Sequence, residues 1–204
     1  GMAGDIAREM GDASSELLIV SPYFVPGHGG VDQLRELTAR GVRVTVVTNS
    51  LAATDVPAVH AGYARYRADL LRAGVALYEL RVDATGRDRP RDRTGSSRVS
   101  LHAKVIVVDR STAFIGSMNI DPRSIKINTE NGVVISSAAL ASEVVQGVQR
   151  DLARDAWQLQ LVEGDLRWSG QQGGKPVLHR REPQAGLWLR MKTRLMSWLP
   201  LEGL

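Results

Sequence analysis

Along the chain, short runs of apolar and β-branched residues alternate with stretches whose apolar positions recur at helical spacing. A helix over about Asp5–Ala13 precedes the apolar run Glu16–Ser21, which reads as a strand. A second helix spans about Gly30–Arg40, and Gly41 supplies a left-handed stop for it. Val42–Thr48 is again strand-like, Asn49–Thr54 a loop, and Pro57 opens a helix that runs to about Ala73 before Gly74. Val75–Leu80 and the valine- and isoleucine-rich segment Leu101–Asp109 read as buried strands, and Ala113–Ile115 starts another after a turn. Asp121–Ser124 marks a turn, Glu130-Asn131-Gly132 leads into a strand at Val133–Ser136, and Ala138–Ala153 has the length and pattern of a long helix. Leu159–Glu163, Leu166–Ser169 and Val177–Arg180 read as short strands or irregular segments between glycine-rich turns. Leu187–Leu199 carries a helical stripe of Trp188, Met191, Leu195, Trp198 and Leu199. Its first reading is a terminal helix docked on the core; with Arg190, Lys192 and Arg194 the alternative is a helix lying on a membrane surface. This alternation of helices and strands predicts an α/β layered fold without internal repeats.

Composition narrows the chemistry. The 204 residues suffice for one packed domain over 3–204, with Gly1-Met2 read as a tag scar, and 43% apolar and 24% charged residues are ordinary for a globular protein. The absence of cysteine excludes disulfides, thiolate catalysis and cysteine-based zinc sites. No stretch approaches the roughly 20 apolar residues of a membrane span. The net charge of +4 favours an anionic partner, nucleic acid or lipid headgroups. Arg81–Arg98 concentrates six arginines against three aspartates and reads as a loop placed just before the Leu101–Asp109 strand.

One ordered set of residues occurs a single time: His102, Lys104, Asp109, Gly116, Ser117 and Asn119, or His-x-Lys-x4-Asp-x6-Gly-Ser-x-Asn. On a strand, residues two apart share a face, so His102 and Lys104 project side by side, and Ser117 and Asn119 share a face of the next extended segment. An imidazole, an ammonium, a hydroxyl and an amide around one point suit a phosphoryl group. The imidazole attacks phosphorus while the other three bind its oxygens. A buried histidine beside a lysine whose head reaches solvent would account for His-x-Lys alone. It does not account for the remaining residues at these offsets. Tyr23 and Asn49 follow consecutive strands, where the carboxyl ends border the crevice of an open α/β sheet, and His60 and Tyr63 lie early in the following helix. These four are candidate substrate-binding residues.

The spacing resembles the HKD motif of the phospholipase D superfamily. Further stretches, Ser21–Gly27, Gly41–Leu51, Val59–Tyr63, Gly116–Ser124 and Ser197–Glu202, are similar to the C-terminal half of its bacterial cardiolipin synthase branch. The resemblance implies a mixed, largely parallel β-sheet flanked by helices on both faces. It implies phosphodiester exchange through a phosphohistidine on His102, with Lys104, Ser117 and Asn119 around the phosphoryl oxygens and Glu130 orienting the imidazole. Asp109 is read as mainly structural, bracing the loop beside Lys104. No metal or other cofactor is implied. Members of this branch carry two HKD motifs in one chain, and this chain has one. The second motif is therefore expected in another half of a longer protein or, alternatively, in a homodimer mate. The implied function is phosphatidyl transfer giving cardiolipin from phosphatidylglycerol and another phospholipid, by a protein of the cytoplasm associated peripherally with the inner membrane. The alternatives are a superfamily phosphodiesterase or endonuclease, which the low aromatic content of 5% disfavours for single strands, and a non-catalytic domain binding acidic lipid.

Overall fold

The computed structural model describes residues 2–82, 104–116 and 132–196. Nine strands form one sheet in the order β6-β5-β4-β1-β2-β3-β7-β8-β9. The strands are β1 Glu16–Val20, β2 Arg43–Asn49, β3 Ala76–Leu80, β4 Lys104–Val108, β5 Thr112–Gly116, β6 Gly132–Ser136, β7 Ala156–Val162, β8 Asp165–Gln172 and β9 Lys175–His179. The helices are α1 Met2–Gly11, α2 Gly27–Ala39, α3 Pro57–Ala64, α4 Arg67–Arg72, α5 Ala138–Asp155 and α6 Leu187–Met196.

Strand alternation sorts the apolar residues onto two faces. Leu17, Ile19, Val44, Val46, Leu77, Ile106 and Phe114 pack with Ile6 of α1, Val31, Leu34 and Leu37 of α2, Tyr63 of α3 and Leu70 of α4. Their neighbours Leu18, Val20, Val47, Val107 and Ala113 point the other way, against Ala141, Val145 and Leu152 of α5. The sheet is thus mixed and helix-covered on both faces, as expected. Its pairing is not largely parallel, however. Only β1–β2 and β2–β3 are parallel; β4, β5 and β6 on one side and β7, β8 and β9 on the other all pair antiparallel. The physical reason is the connections. Helices carry the chain back over the sheet between β1, β2 and β3, whereas two- and three-residue turns join β4 to β5, β7 to β8 and β8 to β9, and so short a turn allows only antiparallel neighbours.

The expected helix over 57–73 is two helices. Tyr66 N–H donates to the Tyr63 carbonyl, a tight three-residue step, and α4 restarts at Arg67, whose side chain is buried. There the Arg67 guanidinium meets Glu79 at 2.7 Å and Glu182 at 2.7 Å, and lies 2.6 Å from His60 Nε2. Glu79 also accepts from the Tyr63 hydroxyl at 3.1 Å and from Trp168 Nε1 at 2.9 Å. Although burial opposes its charge, the His60 ring and the Arg67 guanidinium hold the Glu182 carboxyl well below the usual carboxylate range.

The expected terminal helix ends, within the described residues, at Met196, and its docking is inverted. Leu189 and Thr193 face inward, while Leu187, Trp188, Met191 and Leu195 face solvent. Among the described residues, the apolar stripe is not part of the core.

Candidate active site at the carboxyl edge of the parallel strands

Because β4 runs antiparallel to β1, with Val105 opposite Val20, the start of β4 lies beside the end of β1. The β4–β5–β6 ladder then sets Lys104 opposite Gly116 and Gly116 opposite Gly132. Lys104, Gly116 and Gly132 therefore form one row along the edge where β1 and β2 end. Lys104 shares its face with Ile106, the side covered by α1 to α4.

The segment after β1 reaches this row. Ser21 N–H donates to the Val47 carbonyl at 3.0 Å, Ser21 Oγ to the Tyr23 carbonyl at 2.9 Å, and Thr48 Oγ1 to the Pro22 carbonyl at 3.3 Å. These bonds hold the Pro22–Tyr23 backbone, and Lys104 Nζ lies 6.0 Å from the Tyr23 ring centroid, within range of a cation–π attraction. Tyr23 donates its hydroxyl to Asp55 Oδ1 at 2.6 Å. Partial burial and that carboxylate push the Tyr23 pKa up to about 12, so the phenol stays a donor at neutral pH. A turn on Ser50, whose carbonyl accepts from Ala53 and Thr54, delivers Asp55. Asn49 is buried at the end of β2, on the same edge.

Asp55 was not foreseen. The signal available was an acidic residue in the loop after a parallel strand, directly before the proline-led helix. Of the candidate substrate-binding residues, the structure brings Tyr23 to Lys104 and Asn49 to the same edge. His60 and Tyr63 are corrected: they are 4% and 1% exposed, and their polar atoms belong to the buried Arg67–Glu79–Glu182 network. His102, Ser117, Asn119 and Glu130 lie outside the described residues, as does most of the Arg81–Arg98 run.

Asp109 is also corrected in position. It stands at the opposite end of β4 from Lys104, roughly 16 Å away along an extended strand. The loop it braces joins α1 to β1. Ser14 and Ser15 each donate a backbone N–H and a hydroxyl, and Glu16 its N–H, at 2.7 to 2.9 Å for the shortest contact of each donor. Asp109 N–H in return donates to the Glu16 carbonyl at 2.8 Å. Asp109 and Arg110 both have left-handed φ, 50° and 51°, in a turn closed by Ser111 N–H to the Val108 carbonyl. The Arg110–Glu16 ion pair holds the second of these residues, whose side chain gains nothing from that conformation by itself.

Burial opposes the Asp109 charge, but the donors from Glu16, Ser14 and Ser15 together outweigh it and hold the carboxyl well below its usual range. A depressed folded-state pKa contributes stability above the unfolded value of about 4, lost as pH falls through the folded value. Asp109→Asn is therefore expected to lower stability at neutral pH by about 2 kcal/mol, with the gap to wild type closing only in strong acid. Urea melts between neutral and acid pH check this. An unchanged midpoint at pH 7 would show that the five donors contribute nothing.

Among the described residues no group of three or more histidine, aspartate or glutamate side chains is arranged to hold a metal ion. Residues 6–153 match the family described as cardiolipin synthase, PLD-like domain. The chain belongs to this PLD-like cardiolipin synthase family. It is 45% identical over 198 residues to cardiolipin synthase C of Escherichia coli K12, covering 96% of this chain and 42% of that protein. The chain thus spans less than half the length of that relative. Among solved structures, it resembles Nuc of Salmonella typhimurium, a phospholipase D family member, with a TM-score of 0.55, 21% identity, and coverage of 74% of this chain and 88% of that one. Phosphatidylserine synthase of Haemophilus influenzae Rd KW20 also gives a TM-score of 0.55, at 19% identity over 76% of this chain and 36% of that one. At these identities the structures speak for the PLD-like fold alone.

Proposed function

We propose that the chain carries one half of a phosphatidyltransferase site that makes cardiolipin by exchanging phosphodiesters through a phosphohistidine. The observation that carries the reading is the row Lys104–Gly116–Gly132 at the edge where Tyr23 and Asn49 sit, in a member of this family. His102 precedes that row by two residues, Ser117 and Asn119 follow it by one and three, and Glu130 precedes it by two, so each is within a few residues' reach of one point.

In the proposed reaction His102 attacks the phosphorus of a phosphatidyl donor. A P–N bond forms as the P–O bond to the donor alcohol breaks, and a proton from the histidine of the second motif neutralises the departing alkoxide. The glycerol hydroxyl of phosphatidylglycerol then gives that histidine its proton and attacks phosphorus, breaking the P–N bond and releasing cardiolipin. Lys104, Asn119 and Ser117 neutralise oxygens whose charge grows in each transition state. Glu130 orients the imidazole and supports its cationic form. Tyr23 holds the Lys104 ammonium against its ring, with Asp55 fixing the ring. Asp109 serves the fold at the far end of β4. The partners are an anionic phospholipid at a membrane surface and a second HKD-bearing half.

No helix among the described residues is long and apolar enough to cross a membrane, and we read the protein as peripheral to the cytoplasmic face of the inner membrane. Expression of the full-length protein in cells lacking cardiolipin, with lipids followed by mass spectrometry, tests the function. Cardiolipin is expected to appear. Accumulation of phosphatidic acid without cardiolipin would make the protein a hydrolase, and an unchanged lipid profile with cleavage of supplied DNA or RNA would replace the reading by a nuclease.

A further inference from the structure

Four apolar side chains on α6 are among the most exposed apolar residues described: Leu187 at 67%, Trp188 at 78%, Met191 at 56% and Leu195 at 72%. At roughly 100° per residue they fall within a single arc of about 100° around the helix. Lys192 lies some 40° beyond one side of that arc, and Arg194 and Arg190 lie within about 60° of the other. The inward side is Leu189 and Thr193, set against Leu51, Ala52 and Ala185. An amphipathic helix that folds only to satisfy a core buries its large apolar side chains; this one turns them outward and borders them with cations.

The charge around the stripe has one sign. From Lys175 to Met196 there are six basic residues and one acidic residue, Glu182, whose carboxylate is drawn inward by Arg67. Lys175, Arg180, Arg181, Lys192 and Arg194 are exposed. A wide apolar arc holding a tryptophan, flanked by cations whose stems can lie along it, suits the plane between acyl chains and anionic headgroups. A protein partner would be expected to find some acidic residues interspersed at such a rim.

Position adds a second argument. The loop that receives Leu189 begins with Leu51 and Ala52 and ends with Asp55, which anchors Tyr23 beside Lys104. The exposed helix is therefore joined by one short loop to the candidate phosphate site.

We propose that α6 docks this protein on an anionic phospholipid bilayer, with Leu187, Trp188, Met191 and Leu195 in the interface, and so sets the Lys104 edge at headgroup level. The purpose of the docking rests on the reading of the substrate as a membrane lipid, but the docking itself is measured without turnover.

The test is cosedimentation of the chain, and of the full-length protein, with vesicles of phosphatidylglycerol and phosphatidylethanolamine or of phosphatidylcholine alone. Binding to the first set is expected to exceed binding to the second and to weaken as salt rises. Trp188→Ser with Leu195→Ser, and separately Lys192→Glu with Arg194→Glu, should each lower the partition coefficient about tenfold or more. Lipids brominated on their acyl chains should quench part of the wild-type tryptophan emission, and Trp188→Ser should remove that part. A thermal melt matching wild type confirms that the serine variant is folded. Equal binding to both vesicle types, undiminished binding of the serine variant, or loss of self-association in that variant with vesicle binding intact would overturn the proposal. So would absence of Trp188 quenching in the full-length protein, which would assign the face to another part of that chain. A wild-type full-length protein that docks on the vesicles yet makes no cardiolipin would sink the transferase reading and leave the docking standing.

Discussion

His102→Ala in the full-length protein is expected to abolish phosphatidyl transfer, a loss of about 10⁴-fold or more. Exchange of one alcohol for another on a phosphodiester, without a metal to activate either, needs a group that attacks phosphorus at neutral pH and later leaves it. Neutral imidazole meets both demands, and the chain has no cysteine to substitute for it. The other described nucleophile-bearing residues near Lys104 are committed elsewhere: the Tyr23 hydroxyl donates to Asp55 and the Ser21 hydroxyl to a carbonyl. Lys104→Ala removes one oxyanion partner and should reduce turnover by about 10²- to 10³-fold with the fold intact. Radiolabelled phosphatidylglycerol read by thin-layer chromatography gives both values, and acid-labile, base-stable label on the wild-type protein would report the phosphohistidine. Substantial turnover in His102→Ala would rule that intermediate out.

The second large effect concerns completeness. This chain aligns with 42% of the Escherichia coli relative and carries the HKD spacing once, while the proposed reaction uses two histidines. Alone, the chain is expected to show no measurable transfer, and mixing it with the separately expressed N-terminal portion of a full-length protein should restore turnover. The antiparallel flank carries exposed apolar side chains. Ile115 and Val133 pair across β5 and β6 and are 40% and 60% exposed, one residue along from the row that begins at Lys104 but on the opposite, α5 face of the sheet. Solution mass measured together with turnover decides the matter. A stable two-fold dimer with full activity, lost on His102→Ala, would show instead that two copies of this chain complete the site.

Much of the architecture was legible in the sequence because the physics behind it is local. Leu17–Val20 and Val44–Val47 are buried on both faces, so their β-branched runs announce strands, and Gly41 and Gly74 take positive φ where helices stop. Strand direction was not legible, since composition says little about which neighbour a strand will choose. β7 to β9 were ambiguous because their ends are polar and half exposed, with Gln158 and Gln160 alternating against Trp157 and Leu159. The break before Arg67 was hidden by good helix formers on either side. It follows from a buried ion pair whose partner, Glu79, alternates inward beside Leu77 on β3. A charge at an inward strand position was the clue, and it also explains why His60 and Tyr63 serve packing. At the site, the positions of Tyr23 and Asn49 after consecutive strands, and not the motif offsets, pointed to the edge where Lys104 lies. The offsets misplaced Asp109, because five residues of extended chain separate the two ends of one strand.

The buried guanidinium of Arg67 has a consequence for where this protein can be cut. The family match ends at residue 153, yet Glu182 and Trp168, which complete the polar shell of Arg67 and Glu79, come from beyond it. A fragment trimmed to the matched region would keep the cation and its carboxylate partner in a half-open shell, and stripping partners from a buried charge costs about 3–5 kcal/mol. β7 would also be gone, baring the backbone edge of β3. Residues 154–182 thus supply strands and buried partners to the same folded unit, and an expression boundary that respects the fold falls after Glu182, at the earliest.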